Sequence, residues 1–213
     1  MSRDVLHYPG NTLMVHLDTQ SPLHQALSAM VEDFKTQPFA PLLTLLPSSS
    51  LHMTIYECVT DGIRTRNSYP GDLPLDSSLK TCHAHLAHHL ANYSHGLGSQ
   101  GVGRMRVIGY EPMTDGIGLK LEPTTSEMES RLRDLRDRLS EDLKMRHPGH
   151  EAYSWHMALA YTVRHLSDED RIGIEKYLTE WQKRLATTFE LGVPEFCVYD
   201  DMHQFRRVFY LDS

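Results

Sequence analysis

The sequence predicts an α+β protein made of two similar lobes, each an antiparallel sheet backed by two helices. Segments with helical periodicity and segments with strand periodicity both occur along the 213 residues. One order of elements, a helix, a strand, a helix and then two strands, occurs twice. Because no low-complexity segment or domain linker interrupts this order, residues 1–213 are expected to form a single two-lobed domain.

The first half opens with a strand at 12–17 and continues with a helix. Ser21-Pro22 begins that helix, because serine is a favoured N-cap and proline suits the first turn. Its apolar face is formed by Leu23, Ala26, Leu27, Met30, Val31 and Phe34. A loop rich in proline and serine then leads to the next strand.

A strand at 51–57 alternates apolar and polar residues, and a long loop from Asp61 to Pro74 follows it. Loops of that length are often functional. The face of a second helix carries Leu79, Cys82, Leu86, Leu90 and Tyr93. Segments 102–110 and 116–122 are then predicted to form a hairpin.

The second half has the clearest helix, in which Ser126 and Glu129 have the spacing of a capping box. Its apolar stripe consists of Met128, Leu132, Leu135, Leu139 and Leu143. A strand at 155–162 follows, and a fourth helix opens at Ser167. The apolar face of that helix is Ile174, Leu178, Trp181 and Leu185. Two strand-like runs, 195–199 and 205–211, complete the sequence.

Composition excludes several classes of protein. A hydrophobic content of 40% is ordinary for a globular protein, and no stretch approaches the roughly 20 apolar residues of a spanning helix. The first residues, Met1–Val5, lack a secretory pattern, so a cytoplasmic protein is expected. Three scattered cysteines indicate reduced thiols. A net charge of −7 argues against a partner that is long nucleic acid, although not against a small phosphate ester.

Two histidines occupy matching strands in the two halves. Side chains of a strand point alternately to opposite faces, so His52, Thr54 and Tyr56 share one face of the first strand. In the second strand His156 and Ala158 share the corresponding face. Each histidine is therefore expected on the polar side of a strand whose other side is buried.

These strands carry a resemblance to a known family. His52-Met53-Thr54-Ile55 is similar to the His-x-Thr/Ser-hydrophobic motif of the two-histidine phosphoesterase superfamily, and His156-Met157-Ala158-Leu159 looks like its second copy. The superfamily includes 2′,3′-cyclic nucleotide phosphodiesterases, RNA 2′,5′-ligase-like proteins and 2′,5′-oligoadenylate phosphodiesterases. The resemblance implies strands that line a central cleft. Ala158 departs from it, because the family usually has there a hydroxyl that binds a phosphate oxygen.

The resemblance implies a metal-independent phosphodiesterase without a cofactor, acting on a small nucleotide or RNA-end phosphodiester. Imidazoles act as base or acid near neutral pH, so His52 and His156 are the expected catalytic pair, with their division of roles left open. Thr54 and Tyr56 are the expected phosphate or base contacts on the same strand. Two loop arginines, Arg64 and Arg66, are further candidates for substrate contacts, against the alternative of solvated loop charge.

Two other functions are compatible with the sequence. The loss of a hydroxyl at Ala158 favours a non-catalytic nucleotide-binding module on the same fold. A histidine-rich metalloenzyme is the second, because His85 and His89 have a spacing that can hold zinc on a helix. The glutamate of an HExxH motif is absent there, so a polar helix surface is the preferred interpretation. The sequence leaves the oligomeric state open.

Overall fold

A computed structural model describes residues 6–212 of the chain. Residues 1–5, on which the expectation about secretion rests, lie outside the described part, as does residue 213. The four helices of the described part are α1 (Pro22–Phe34), α2 (Leu79–Leu90), α3 (Ser126–Asp142) and α4 (Asp168–Gln182). Between residues 6 and 212, none of the helices has the length and apolar character needed to cross a membrane.

The described residues also form nine strands. They are β1 (Gly10–His16), β2 (Leu43–Leu45), β3 (His52–Thr60), β4 (Gly103–Tyr110), β5 (Gly116–Pro123), β6 (His156–Thr162), β7 (Thr188–Leu191), β8 (Glu195–Asp201) and β9 (Gln204–Tyr210). Seven of them coincide with predicted strands. The two that were not predicted, β2 and β7, have three and four residues, so the alternation in them is too short to be told from chance.

Each of the four helices has a serine or threonine as its N-cap, whose hydroxyl accepts a hydrogen bond from an otherwise unpaired backbone N–H group of the first turn. Ser21 accepts from His24 N at the start of α1, as predicted. Ser167 caps α4 in a reciprocal capping box with Asp170. The predicted cap of α3 is wrong by one position, since the hydroxyl of Thr125, not Ser126, accepts from the backbone of the first turn.

The predicted α+β class and two-sheet architecture are confirmed. The first sheet has the order β3-β1-β8-β9 and the second β2-β6-β5-β4-β7, with antiparallel pairing throughout. The lobes do not coincide with the two halves of the sequence. Strands β8 and β9 from the end of the chain join the first sheet, whereas β2 and the hairpin of β4 and β5 from the first half join the second. Each lobe is therefore built from both halves.

The two motif strands bury one side, as the alternation predicted. The buried side includes Met53, Ile55, Met157 and Leu159, all at most 1% exposed, and Trp155, directly before β6, at 2%. His52 and His156 are the first residues of β3 and β6, and both are half-buried. Burial of the apolar side thus directs the histidines of both strands away from the core.

Each motif strand contains a β-bulge. In β3 the extra residue is Ile55, whose two chain neighbours pair with consecutive residues of β1. In β6 it is Leu159, whose two neighbours pair with consecutive residues of β5. Both bulges fall at the third residue after the histidine. Because a bulge inserts one residue into the alternation, it exchanges the two faces of the strand beyond it.

Candidate active site

His52 and His156 line one cleft, which has a volume of about 970 Å³. The described lining comes from both sheets, from the N-terminal segment ahead of β1 and from the loops after β3 and β6. The side chains that flank the histidines along the strands are Thr54 in β3 and Ala158 in β6. The structure thus brings the two predicted motifs together around a common space.

The two imidazoles are held in the same way. His52 Nδ1 lies 2.6 Å from the carbonyl oxygen of Ser50, and His156 Nδ1 lies 2.9 Å from that of Ser154. A carbonyl oxygen only accepts hydrogen bonds, so each Nδ1 carries a proton and donates it. In the neutral ring Nε2 then has the free lone pair, which can take or return a proton. In both histidines the Nδ1 contact thus leaves the same nitrogen, Nε2, to exchange a proton.

His52 has an environment that favours its neutral form. The ring packs against Phe205 with 4.3 Å between the ring centroids. Loss of hydration is the main cause that lowers the pKa of His52 to about 4, and positive charge on His16 or His156 contributes to the same shift. The hydrogen bond to Ser50 opposes this shift without reversing it. Near neutral pH His52 therefore carries no charge.

A buried ionic group lies behind His52. The carboxylate of Glu195 accepts from His16 Nδ1 at 2.6 Å and from the His16 backbone N–H at 3.0 Å. Its second oxygen accepts from Arg207 Nη1 at 3.2 Å. The ring of His16 is 6.3 Å from that of His52, and the two residues pair across β1 and β3. The carboxylate is thus fully engaged and holds His16 beside the cleft histidine.

The bulges decide which later residues of the motif strands reach the cleft. Beyond them, Glu57 of β3 and Tyr161 of β6 enter the lining of the cleft. The prediction that Tyr56 shares the cleft face with His52 is wrong for this reason. Tyr56 is 0% exposed, and its hydroxyl donates to the carbonyl oxygen of Met145. Burial raises the pKa of Tyr56 to about 12, and its role is in the core.

The two loop arginines are also placed differently from the prediction, since neither lines the cleft. Arg64 donates to Tyr69 Oη at 2.8 Å, to the carbonyl oxygen of Ser77 at 2.7 Å and to the backbone of Asp61 at 2.8 Å. It also pairs with the Asp61 carboxylate. Arg66 donates to the Leu73 carbonyl oxygen at 3.1 Å. These guanidinium groups fold the loop onto itself, because nearby carbonyl oxygens satisfy their donors.

Several cleft residues were missed by the sequence analysis. Arg164, directly after β6, brings a cation to the lining, and its position after the second motif strand was the available signal. His147, which follows α3, lines the cleft and has its Nε2 2.7 Å from the carbonyl oxygen of Glu57. Loss of hydration lowers the pKa of His147. No local pattern indicated that this loop histidine reaches β3.

A family model described as "2H-phosphodiest: Domain of unknown function (DUF1868)" matches residues 1–115, just over half of the chain. The matched region contains the first histidine motif but not the second. No curated protein matches the sequence.

Among solved structures, a conserved protein of unknown function from Agrobacterium tumefaciens strain C58, ATU0111, is similar to this chain. The two share 28% identity with a TM-score of 0.86, over 97% of this chain and 87% of that one. TT0787 of Thermus thermophilus matches with 17% identity and a TM-score of 0.45, over 94% of this chain and 96% of that one. Escherichia coli LigT, crystallised with phosphate, matches with 8% identity and a TM-score of 0.48, over 98% and 100%.

Proposed function

Because the chain belongs to the 2H-phosphodiesterase family of DUF1868 domains, we propose that it is a metal-independent phosphodiesterase acting on a small nucleotide or RNA-end phosphodiester. Family membership supports a phosphoesterase-type function in general. The observation that carries the more specific proposal is the pair of imidazoles that line one cleft, each with Nδ1 bound to a carbonyl oxygen and Nε2 free. Such a pair supplies both a base and an acid without a metal ion.

In the proposed reaction His52 is the base and His156 the acid. His52 Nε2 takes a proton from water while the water oxygen bonds to phosphorus. The bond from phosphorus to the ribose 2′ or 3′ oxygen breaks, and His156, which enters the reaction as the imidazolium with a proton on each nitrogen, gives its Nε2 proton to that oxygen and becomes neutral. The depressed pKa of His52 supports this division, because a base has to be unprotonated at working pH. Thr54 is the proposed hydroxyl donor to the phosphoryl oxygens.

A symmetric phosphate clamp would have one hydroxyl donor on each motif strand. Thr54 is the donor on β3, but Ala158 has a methyl group at the corresponding position of β6. Arg164 is the proposed replacement, since it is the only lysine or arginine among the described residues of the lining. A guanidinium offers several donors for phosphate oxygens and adds positive charge. The proposed clamp is therefore asymmetric, with a hydroxyl on one side and a cation on the other.

The charge of the cleft supports a substrate with one phosphodiester rather than an oligonucleotide. Besides the histidines, the described lining has one cation, Arg164, and one carboxylate, Glu57. Each further phosphate of a longer chain would need a cation to offset its loss of hydration and counterions. The mouth of the cleft is instead apolar, with Leu6, Val163, Tyr8 and Ile63 exposed by 84, 54, 42 and 41%. We propose that this apolar rim contacts the base of a mononucleotide.

The rim can be tested with a matched pair of isoleucines. Ile63→Ser is expected to raise KM for a 2′,3′-cyclic mononucleotide about fivefold, corresponding to ~1 kcal/mol of lost apolar contact, with kcat little changed. Ile108 has nearly the same exposure, 42%, but lies outside the cleft lining. Ile108→Ser should therefore keep the wild-type KM. Equal values of KM for the two variants would contradict the proposed role of the rim.

The pH dependence tests the assignment of the base. Since His52 is active when unprotonated, the acid limb of kcat/KM should lie near pH 4, not around the ordinary value of 6.5. The rate on a 2′,3′-cyclic nucleotide is measured from acid to neutral pH, with circular dichroism at each point to identify acid unfolding. An acid limb near 6.5 in a protein that remains folded would assign the base to another group.

A non-catalytic nucleotide-binding module is the second candidate, favoured by the methyl group of Ala158. Incubation with 2′,3′-cyclic nucleotides and excess EDTA separates the two functions. The proposed enzyme should produce nucleoside 2′- or 3′-monophosphate at the rate seen without EDTA. Binding without turnover would support the module, and turnover that EDTA abolishes would contradict the metal-independent mechanism.

A further inference from the structure

We propose that Asp72, His85 and His89 form a zinc-binding site on the surface of the first lobe, separate from the cleft. One ligand atom from each of the three side chains lies within 4.8 Å of the others. None of the three lines the cleft. Two imidazole nitrogens and one carboxylate oxygen form a ligand set that zinc takes up with water in its fourth position.

Helix α2 positions the two histidines. His85 and His89 are one turn apart, so their side chains lie on the same side of the helix. Their ring centroids are 4.4 Å apart. His88, on the same helix, is exposed and does not belong to the group. The helical spacing thus places His85 and His89, but not His88, in the group of possible zinc ligands.

The third ligand comes from a tight turn in the loop between β3 and α2. The turn is closed by a hydrogen bond of 3.1 Å from Leu73 N to the carbonyl oxygen of Pro70. Gly71 fits closely against Lys144, since a Cβ at position 71 would lie 2.6 Å from the Lys144 Cβ. Gly71 N also donates to the carbonyl oxygen of Leu143 at 3.2 Å. These contacts fix the turn that presents Asp72 to α2.

Zinc would require small movements of the three side chains. Ligand atoms about 2.1 Å from a tetrahedral ion are about 3.4 Å apart. The three ligand atoms lie within 4.8 Å of one another, so they would have to move somewhat closer together. Asp72 and His89 are exposed and His85 is half-buried, so rotation of the side chains can close this gap. The present partner of Asp72 is Lys144, whose Nζ is 2.5 Å from Oδ1. Zinc would bind the carboxylate in competition with that ammonium group.

The other group with similarly close ligand atoms is less suited to a metal. It consists of His16, Glu195 and Cys197. Both oxygens of Glu195 already accept hydrogen bonds, one from His16 and one from Arg207. Burial raises the pKa of the Cys197 thiol, which keeps it protonated.

Zinc at the proposed site would connect the loop to α2. Ile63 and Ser68, earlier in the same loop, line the cleft. The site would therefore stabilise one wall of the cleft without contacting the reacting groups. The measurable effect is on stability and metal binding, and it does not depend on catalytic activity.

Titration of the chelator-treated protein with zinc chloride, followed by calorimetry and by the melting temperature, tests the site. His85→Ala and His89→Ala should each weaken the zinc-binding event at least about tenfold, because even residues that only support a metal ligand cost 10–100-fold. Asp72→Asn should also weaken it, and zinc should raise the melting temperature of the wild type but not of His85→Ala. His88→Ala is the matched control and should bind zinc as the wild type does.

Three results would overturn the proposal. They are no zinc binding by the wild type, binding that survives in both His85→Ala and His89→Ala, and an equal loss of binding in His88→Ala. Lys144→Met gives an independent check that leaves all three ligands in place. Removal of the competing ammonium group should tighten zinc binding, whereas a site that does not include Asp72 would be unaffected.

Discussion

Replacing either cleft histidine by alanine is expected to lower kcat for a 2′,3′-cyclic nucleotide by about 10²–10⁴-fold, the usual contribution of a positioned acid or base. His52→Ala removes the proposed base and His156→Ala the proposed acid. The double variant should be little slower than the slower single variant, since two groups that act in one step do not contribute additively. Initial rates with saturating substrate measure the effect.

His165→Ala is a suitable control, because this exposed histidine follows β6 but does not line the cleft. It should keep the wild-type kcat. Full activity of either His52→Ala or His156→Ala would refute the acid–base pair. Activity lost in His52→Ala but kept in His156→Ala would leave a single base and require another acid.

Arg136→Ala is expected to lower the free energy of unfolding by about 3 kcal/mol, the combined effect of a cavity and an unpaired buried carbonyl group. Arg136 is 3% exposed, and its Nη1 donates to the carbonyl oxygen of Ile55 at 2.6 Å, at the bulge of β3. Its guanidinium carbon lies 3.7 Å from the ring centroid of Tyr153 and 5.9 Å from that of Trp155, just before β6. One side chain of α3 thus contacts β3 and packs against the segment directly before β6.

Denaturant unfolding monitored by fluorescence and circular dichroism measures this loss. Arg136→Met should cost less than Arg136→Ala, because it fills part of the space. Arg131→Ala, on the exposed side of the same helix, should change stability by less than about 0.5 kcal/mol, since the Arg131–Glu127 pair is solvated. Equal stability of Arg136→Ala and Arg131→Ala would show that the contacts of Arg136 contribute little.

The proposed site residues on β3 show where the alternation of a strand predicts the exposed face and where it does not. His52 and Thr54 lie before the bulge of β3, and there the alternation of the strand predicted the exposed face correctly. Tyr56 lies beyond it, and the same alternation assigned the wrong face. The bulge depends on pairing with β1, a segment about 40 residues earlier in the chain, so the local pattern of β3 contained no sign of it.

The loop arginines illustrate a second limit. Arg64 and Arg164 look alike in the sequence, because each is an arginine that follows a motif strand. Arg64 donates hydrogen bonds to carbonyl oxygens of its own loop, whereas Arg164 lines the cleft. Which of the two could meet a substrate depended on the fold of the loops, because an arginine donates to whatever acceptors surround it.

Local sequence was sufficient to establish the α+β class, the starts of α1 and α4, and the strands that carry the two histidines. These features arise from contacts within a few residues, such as caps and the alternation of apolar side chains. Long-range contacts were needed to establish that β8 and β9 join the first sheet, that bulges bring Glu57 and Tyr161 to the cleft, and that Arg136 of α3 donates to the backbone of β3. Those features depend on hydrogen bonds and packing between distant segments, whose partners no local periodicity specifies.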